Sequence, residues 1–85
     1  NDILDEAMTE DNAFLNAIAL EIYGQRQYME AVFWIDKMIF SPYKEVRIAS
    51  LKAAEALGDI GDNEYINKIL SLEFDQEWEV RAFLL

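Results

Sequence analysis

Apolar residues recur along this 85-residue chain at intervals of three and four positions, the spacing of an amphipathic helix. Strict alternation of apolar and polar residues, which is typical of a half-buried strand, is rare. The pattern predicts an all-α fold of five to six helices. We expect helical segments over residues 2–8, 10–23, 27–40, 42–57, 62–73 and 75–85.

Glycine and short polar residues mark where these helices are expected to begin and end. Gly24 should stop the second helix, and Gly58 should close the fourth in the left-handed conformation that glycine tolerates best. Ser41, Asp62 and Asp75 suit N-cap positions, because their side-chain oxygens can accept hydrogen bonds from first-turn amides. The linkers, at about two to five residues, favour antiparallel neighbours. The chain therefore predicts a string of helical hairpins.

The chain repeats itself with a period of 34 residues. Under that shift Gly24 falls on Gly58, and residues 45–47 fall on 79–81 with the same Glu-Val-Arg sequence. A fixed period of this length indicates stacked repeats, in which neighbouring hairpins complete each other's core. We expect repeats over 9–40 and 41–74, with 1–8 as the tail of a preceding hairpin and 75–85 as the first helix of a further one. The apolar ending Val-Arg-Ala-Phe-Leu-Leu is unlike a polar terminal repeat. It predicts an excerpt of a longer α-solenoid, able to self-associate through its exposed ends.

The second repeat resembles the short bacterial, PBS-lyase-like form of the HEAT repeat. The residues that carry the resemblance are Val46-Arg47, Ala53-Ala54, the turn Leu57-Gly58-Asp59-Ile60-Gly61-Asp62, and Val80-Arg81. The resemblance implies an α-solenoid of HEAT-like hairpins, in which the arginine pairs with an acidic residue near the turn and joins neighbouring repeats. Arg47 and Arg81 are therefore expected to be structural, as are Gly58 and Asp62, with Asp62 or Asp75 as the partner of Arg47.

Two departures weaken the resemblance. The distance from Val-Arg to Leu-Gly is about one helical turn longer than in the commonest short form, and the first repeat has Ala13 in place of the arginine. The period of 34 also suits tetratricopeptide repeats. That alternative ranks second, because Trp34 and Trp78 do not fall where those repeats require tryptophan.

Charge and composition narrow the function classes. Seventeen acidic residues against seven basic ones give a net charge of −10, which disfavours nucleic acid and anionic membranes and favours a protein partner with a basic surface. The chain has neither cysteine nor histidine, so thiolate nucleophiles, histidine bases and the usual zinc ligands are missing. We expect no catalytic site, no metal and no cofactor. The compartment is left open, with the cytoplasm favoured.

The third helix carries the candidate binding residues. Glu30, Phe33, Trp34 and Lys37 share one of its faces, whereas the positions 34 residues later are polar. Second helices of HEAT stacks line the concave surface on which partners are held, so this face is interpreted as a protein-binding surface with Trp34 as its anchor. Truncating Trp34 should then change folding by about 1 kcal/mol at most. The alternative is that a preceding hairpin or a neighbouring subunit covers Trp34.

The function expected from the sequence is a non-catalytic protein–protein interaction or scaffolding module. A relative or component of a bilin lyase, or a tetratricopeptide-type peptide-binding module, are the alternatives.

Overall fold

The computed structural model describes residues 2–58 and 62–84, and within them the chain is entirely helical apart from its turns, without a strand. The helices are α1 (Asp2–Thr9), α2 (Ala13–Gln25), α3 (Ala31–Met38), α4 (Lys44–Leu57), α5 (Asn63–Leu70) and α6 (Trp78–Ala82), and a 3-10 helix (Ser71–Phe74) follows α5. The predicted all-helical class is confirmed. The third and fourth helices start later than expected, and the predicted helix over 62–73 is divided between α5 and the 3-10 turn.

Gly24 does not end a helix, contrary to the sequence-based prediction. It lies buried inside α2, which begins after Asn12, whose side chain accepts a hydrogen bond from the Leu15 amide (3.0 Å), and continues to Gln25. A Cβ atom at Gly24 would lie 2.8 Å from the Cα of Ala53 in α4. Glycine is therefore required here because α2 and α4 approach each other closely. The chain turns instead after the helix, at Gln27, whose φ is +54°.

Gly58 ends α4 as expected, but in a different conformation. Its φ is +80° and its ψ is −153°, so it lies outside the left-handed helical region and in a region that is essentially restricted to glycine. Residues 59–61 of the turn motif lie outside the described residues. Asp62 caps α5, because its Oδ1 accepts a hydrogen bond from the Tyr65 amide at 2.9 Å.

Asp75 and Ser41 do not cap helices. Helix α6 begins at Trp78, and the Oδ1 atom of Asp75 instead accepts from the Glu77 amide at 2.9 Å in the turn before it. Ser41 similarly accepts from the Tyr43 amide at 3.2 Å, one turn before α4. Both side chains therefore stabilise the turn that precedes a helix, and neither bonds to an amide of the helix itself.

The core is built mainly where α2, α4 and α6 pack against one another in sequence. Helix α2 lies along α4, α4 contacts α6, α1 packs on α2, and α3 packs on α4. The largest fully buried apolar side chains come from α1, α2, α3 and the turn after it, α4 and α6: Met8, Leu20, Tyr23, Ile35, Ile39, Val46 and Val80. The radius of gyration, 11.6 Å, is close to the value of about 12 Å for a compact chain of this length.

Candidate functional site

The exposed side of α3 and the turn after it carries two phenylalanines. Phe33 and Phe40 are seven positions apart, which places them on the same side of a helix, and they are 56% and 57% exposed. Lys37 Nζ lies 5.0 Å from the centre of the Phe33 ring, in a cation–π contact. Two large apolar rings are thus presented to solvent on one line of the surface.

Trp34 lies apart from this line. The indole is half-buried, packs edge-on against Phe33 with ring centres 5.0 Å apart, and donates through Nε1 to Asp5 Oδ1 at 3.1 Å. The structure therefore differs from the expected fully open surface at Trp34, because α1, the segment interpreted as the tail of a preceding hairpin, covers part of the indole. A binding role for Trp34 stays a prediction. Glu30 is exposed at the start of α3 and makes no capping hydrogen bond there.

Asp5 fastens α1 to the rest of the molecule. Its carboxylate accepts from the hydroxyl of Tyr23 in α2 as well as from the Trp34 indole. The Tyr23 hydrogen bond, and after it the Trp34 hydrogen bond, hold the pKa of Asp5 below its ordinary value. Burial, followed by the same hydrogen bond to Asp5, raises the pKa of Tyr23 far above its ordinary range. A charged carboxylate and a neutral phenol are thus the stable pair.

A cleft of about 260 Å³ separates α3 from the start of α5. Its lining combines apolar and acidic side chains from both elements: Val32, Phe33 and Asp36 on one side, and Asp62, Glu64 and Tyr65 on the other. Lys68 of α5 pairs with two of these carboxylates, with Nζ 2.9 Å from Asp36 Oδ1 and 3.9 Å from Glu64 Oε1. Hydrogen bonding to Asp36 raises the pKa of Lys68, which therefore stays charged. The cleft is an acidic site with one lysine at its edge.

Tyr65 contributes to the lining of this cleft, but its hydroxyl oxygen is buried, with no hydrogen-bond partner within residues 2–58 and 62–84. The side chain is only 5% exposed. Burial, and then the negative charge of Asp36, raise the pKa of the hydroxyl above its ordinary value. Sequence reasoning missed this site, because a tyrosine at a core position of an amphipathic helix looks like any other core residue.

The two repeat arginines converge on Asp75. Arg47 binds its carboxylate through two nitrogens, with Nε–Oδ2 at 2.8 Å and Nη2–Oδ1 at 3.0 Å, and donates through Nη1 to the Ser41 carbonyl at 2.9 Å. Arg81 donates through Nη1 to the backbone carbonyl of Asp75. Of the two carboxylates considered for Arg47, the structure places Asp75 beside it, whereas Asp62 caps α5. These groups join α4 to the entry of α6.

A second groove, which the sequence interpretation did not identify, lies between α2 and α4. Phe14, Ile18 and Ile48 form its apolar wall, and its volume is about 340 Å³. Lys52 closes one end, 3.7 Å from Glu21 Oε1 and 5.9 Å from the centre of the Phe83 ring. The helical periodicity could not separate these residues from the core, because both sides of α2 are apolar.

Among the described residues, no three Asp or Glu side chains are grouped so that they could hold a metal ion. In the same part of the chain, none of the helices has the length and apolar character needed to span a membrane. Comparison with family models, with curated proteins and with solved structures finds no match for the chain.

Proposed function

We propose that the chain is a non-catalytic protein-binding module built from HEAT-like helical hairpins. Its binding surface is the α3–α5 face, defined as Phe33, Asp36, Phe40, Glu64 and Lys68. The observation that carries the proposal is the pair of exposed phenylalanines beside an acidic cleft.

The repeat part of the proposal rests on how the helices follow one another. The first residues of α4 and α6, Lys44 and Trp78, are 34 positions apart, and α2, α4 and α6 pack in series. The Arg47–Asp75 pair joins consecutive repeats, the role that the HEAT resemblance gives to this arginine. Helices α3 and α5, joined by Lys68 and Asp36, then form a second layer, which in a solenoid is the surface offered to partners.

The chemistry of the α3–α5 face suits a peptide or protein surface. Phe33 and Phe40 leave more than half of their side-chain area in water, and exposed aromatic groups of this kind mark interaction sites when they cluster. The nearby carboxylates add specificity. They favour a partner whose basic groups are spaced to meet them while its apolar groups contact the phenylalanines. Aromatic residues also supply a large share of the binding energy at protein interfaces.

The test uses a defined set of ligands. A phage-displayed library of random 15-residue peptides is selected on the immobilised chain, and the affinities of the selected peptides are measured for the chain and its variants. We expect the double variant Phe33→Ala/Phe40→Ala to bind the peptides at least tenfold more weakly, which corresponds to about 1.4 kcal/mol. The matched control is Phe14→Ala, which removes a ring 72% exposed in the α2–α4 groove and should leave affinity unchanged.

Two results would contradict the proposal. One is a selection that enriches no peptide above a bare support. The other is the reverse order of effects, in which Phe14→Ala abolishes binding and the double variant does not, since the binding surface would then be the α2–α4 groove.

A further inference from the structure

We propose, on the basis of the proposed function, that the α3–α5 face holds its partner as a polyproline II segment with a basic residue at one end. Such a segment is a proline-rich stretch of chain in an extended left-handed helix of three residues per turn. Three features carry the proposal: a row of cavities along α3 and α5, the spacing of the exposed rings, and the hydrogen-bond donors between those rings.

Three cavities follow one another along α3 and α5. The first is the cleft of about 260 Å³ described above, which Phe33 and Glu64 line. The second, of about 490 Å³, lies between Phe40 and the exposed side of α5, and Glu64 also lines it. The third, of about 500 Å³, has Phe40 as one wall and Phe74 as another. Adjacent cavities share a lining residue, so the three form one row, called here the trough, from the starts of α3 and α5 to the turns that follow them.

The exposed rings along the trough recur at the step of a polyproline II helix. Phe33 and Phe40 are seven positions apart on α3 and the turn that continues it, so their Cα atoms are separated by about 10 Å. A polyproline II helix repeats every third residue, which is about 9 Å along its axis. Residues i and i+3 of the peptide can therefore each meet one ring. Phe74, 82% exposed and 34 positions after Phe40, continues the row.

The walls of the third cavity suit an uncharged side chain such as proline. Pro42 and Leu72 line it together with the two phenylalanines. Its charged groups, Arg47 and Asp75, are paired with each other at 2.8 Å, so their charges balance. Grooves lined by aromatic rings are the usual binding sites of polyproline II segments, because the proline rings pack on them and the peptide is already ordered.

The donors between the rings favour an extended backbone over a helical one. Asn67 lines the second cavity and Gln76 the third, and both side chains are exposed. Neither side-chain amide forms a hydrogen bond within residues 2–58 and 62–84. A polyproline II segment has no internal hydrogen bonds, so its carbonyl groups can accept from such amides. Most carbonyl groups of an α-helix are already bonded within the helix.

The charge along the trough places the basic residue. Three carboxylates line the first cavity, whereas two ammonium groups lie near it, those of Lys68 and Lys37. This end of the trough therefore keeps an excess of negative charge, while the charges that line the third cavity balance. The difference favours a peptide whose basic residue lies at the end nearer Phe33.

The probes are three acetylated, amidated peptides with arginine at both ends, so that either orientation places a base near Phe33. The first has six prolines between the arginines, which span about 19 Å as a polyproline II helix. In the second, alternating glycine and serine replace the prolines and keep the charge. The third is an amphipathic helix of alanine and leucine, closed by a hydrocarbon staple.

Each probe is titrated into the nitrogen-15-labelled full chain and followed by amide shifts in the NMR spectrum. We expect saturable shifts at Ser41, Asn67 and Gln76 with the proline peptide. The glycine–serine peptide must be ordered on binding and the helix has few free carbonyl groups, so both should bind at least about tenfold more weakly.

Two variants test the trough beyond Phe40. Phe74→Ala removes an exposed ring, so the urea midpoint should stay unchanged while the proline peptide binds roughly tenfold more weakly. Gln76→Ala removes a donor and should weaken binding about threefold. The control is Phe14→Ala, which removes a ring 72% exposed in the α2–α4 groove and should leave binding unchanged.

Equal binding of the proline and glycine–serine peptides would overturn the proposal, since the attraction would then be electrostatic alone. Tighter binding of the stapled helix would also overturn it and identify a helix as the occupant. So would a proline peptide that binds Phe74→Ala as tightly as the unchanged chain. The two proposals fail separately. Phage-selected peptides that need Phe33 and Phe40, together with no binding of the proline peptide, would leave the binding surface standing and remove the polyproline II partner.

Discussion

Arg47 and Asp75 form a two-armed ion pair in which only 13% and 7% of the two side chains remain exposed. The residues are 28 positions apart in the chain, so the pair fastens α4 to the turn that enters α6. Burial alone would raise the pKa of Asp75. The hydrogen bonds from Arg47 and from the Glu77 amide outweigh burial and hold that pKa below its ordinary value.

Breaking this pair should destabilise the fold. Asp75→Ala leaves the Arg47 guanidinium largely buried without its carboxylate, and we expect the free energy of unfolding to fall by about 3 kcal/mol in urea denaturation. Glu73→Ala, an exposed acidic neighbour in the 3-10 turn, is the control and should stay within about 0.5 kcal/mol. Equal effects of the two variants would show that the pair contributes nothing specific.

The same pair predicts a pH dependence. Because the folded-state pKa of Asp75 is below its unfolded value, the stabilisation is complete above the unfolded pKa of about 4 and is lost as pH falls through the lower folded value. Unfolding midpoints measured from pH 6 down to pH 2 should therefore fall less steeply in Asp75→Asn than in the unchanged chain. Parallel curves would contradict this expectation.

Replacing Gly58 should lower the free energy of unfolding because of its backbone conformation and not because of steric crowding. Among residues 2–58 and 62–84, nothing would lie within 4 Å of a Cβ atom there, but φ = +80° with ψ = −153° is strained for an L-residue. We expect Gly58→Val to cost on the order of 1–3 kcal/mol in urea unfolding.

D-alanine, introduced at Gly58 by chemical synthesis, is the matched control. Its preferred conformations are mirror images of those of L-alanine, so the native dihedral angles are relaxed for it, and it should be neutral or stabilising. A loss of stability with D-alanine as large as that with valine would show that the side chain and not the backbone is responsible.

Gly24 should resist replacement for the opposite reason. Alanine there gains about 1 kcal/mol of helix propensity, but its Cβ would crowd the Ala53 backbone at a cost of about 1–3 kcal/mol. We expect a net loss for Gly24→Ala and a larger one for Gly24→Val. Gln25→Val, at the exposed neighbouring position, should change the unfolding free energy by only about 0.5 kcal/mol.

Trp34 is expected to contribute to folding. Trp34→Ala removes a half-buried ring and the hydrogen bond to Asp5, and should cost about 2 kcal/mol, whereas Trp34→Phe should cost about 1 kcal/mol. The control is Trp78→Ala, which removes a ring that is 67% exposed and should stay within about 0.5 kcal/mol. Unfolding free energies are measured by circular dichroism in urea. Equal losses of stability in Trp34→Ala and Trp78→Ala would place Trp34 on the open surface.

The helical class and the cap at Asp62 could be predicted because both depend on short-range sequence. Apolar spacing sets which segments are helical, and a carboxylate three positions before an amide is sufficient for the cap. Gly24 could not be interpreted in this way. A glycine that ends a helix and a glycine that admits a neighbouring helix look alike until the position of α4 is known.

The candidate site was only partly predictable for a related reason. Phe33 was found, because its exposure follows from the face of one helix. The partial burial of Trp34 was not predicted, because the indole is covered by α1. The contact between Asp5 and Trp34 joins residues 29 positions apart and has no local sequence signature. Tyr65 was missed, since the lack of a hydrogen-bond partner in the described part of the chain depends on how the helices pack.

The close approach of Gly24 and Ala53 also constrains how this sequence can diverge. Neither position can accept a larger residue unless α2 and α4 first move apart, and that movement would disturb the whole seam between the two helices. In related sequences, both positions should therefore carry small residues. A larger residue at one of them should appear only together with compensating substitutions on the opposite helix. The two positions are therefore expected to change together, although they lie far apart along the chain.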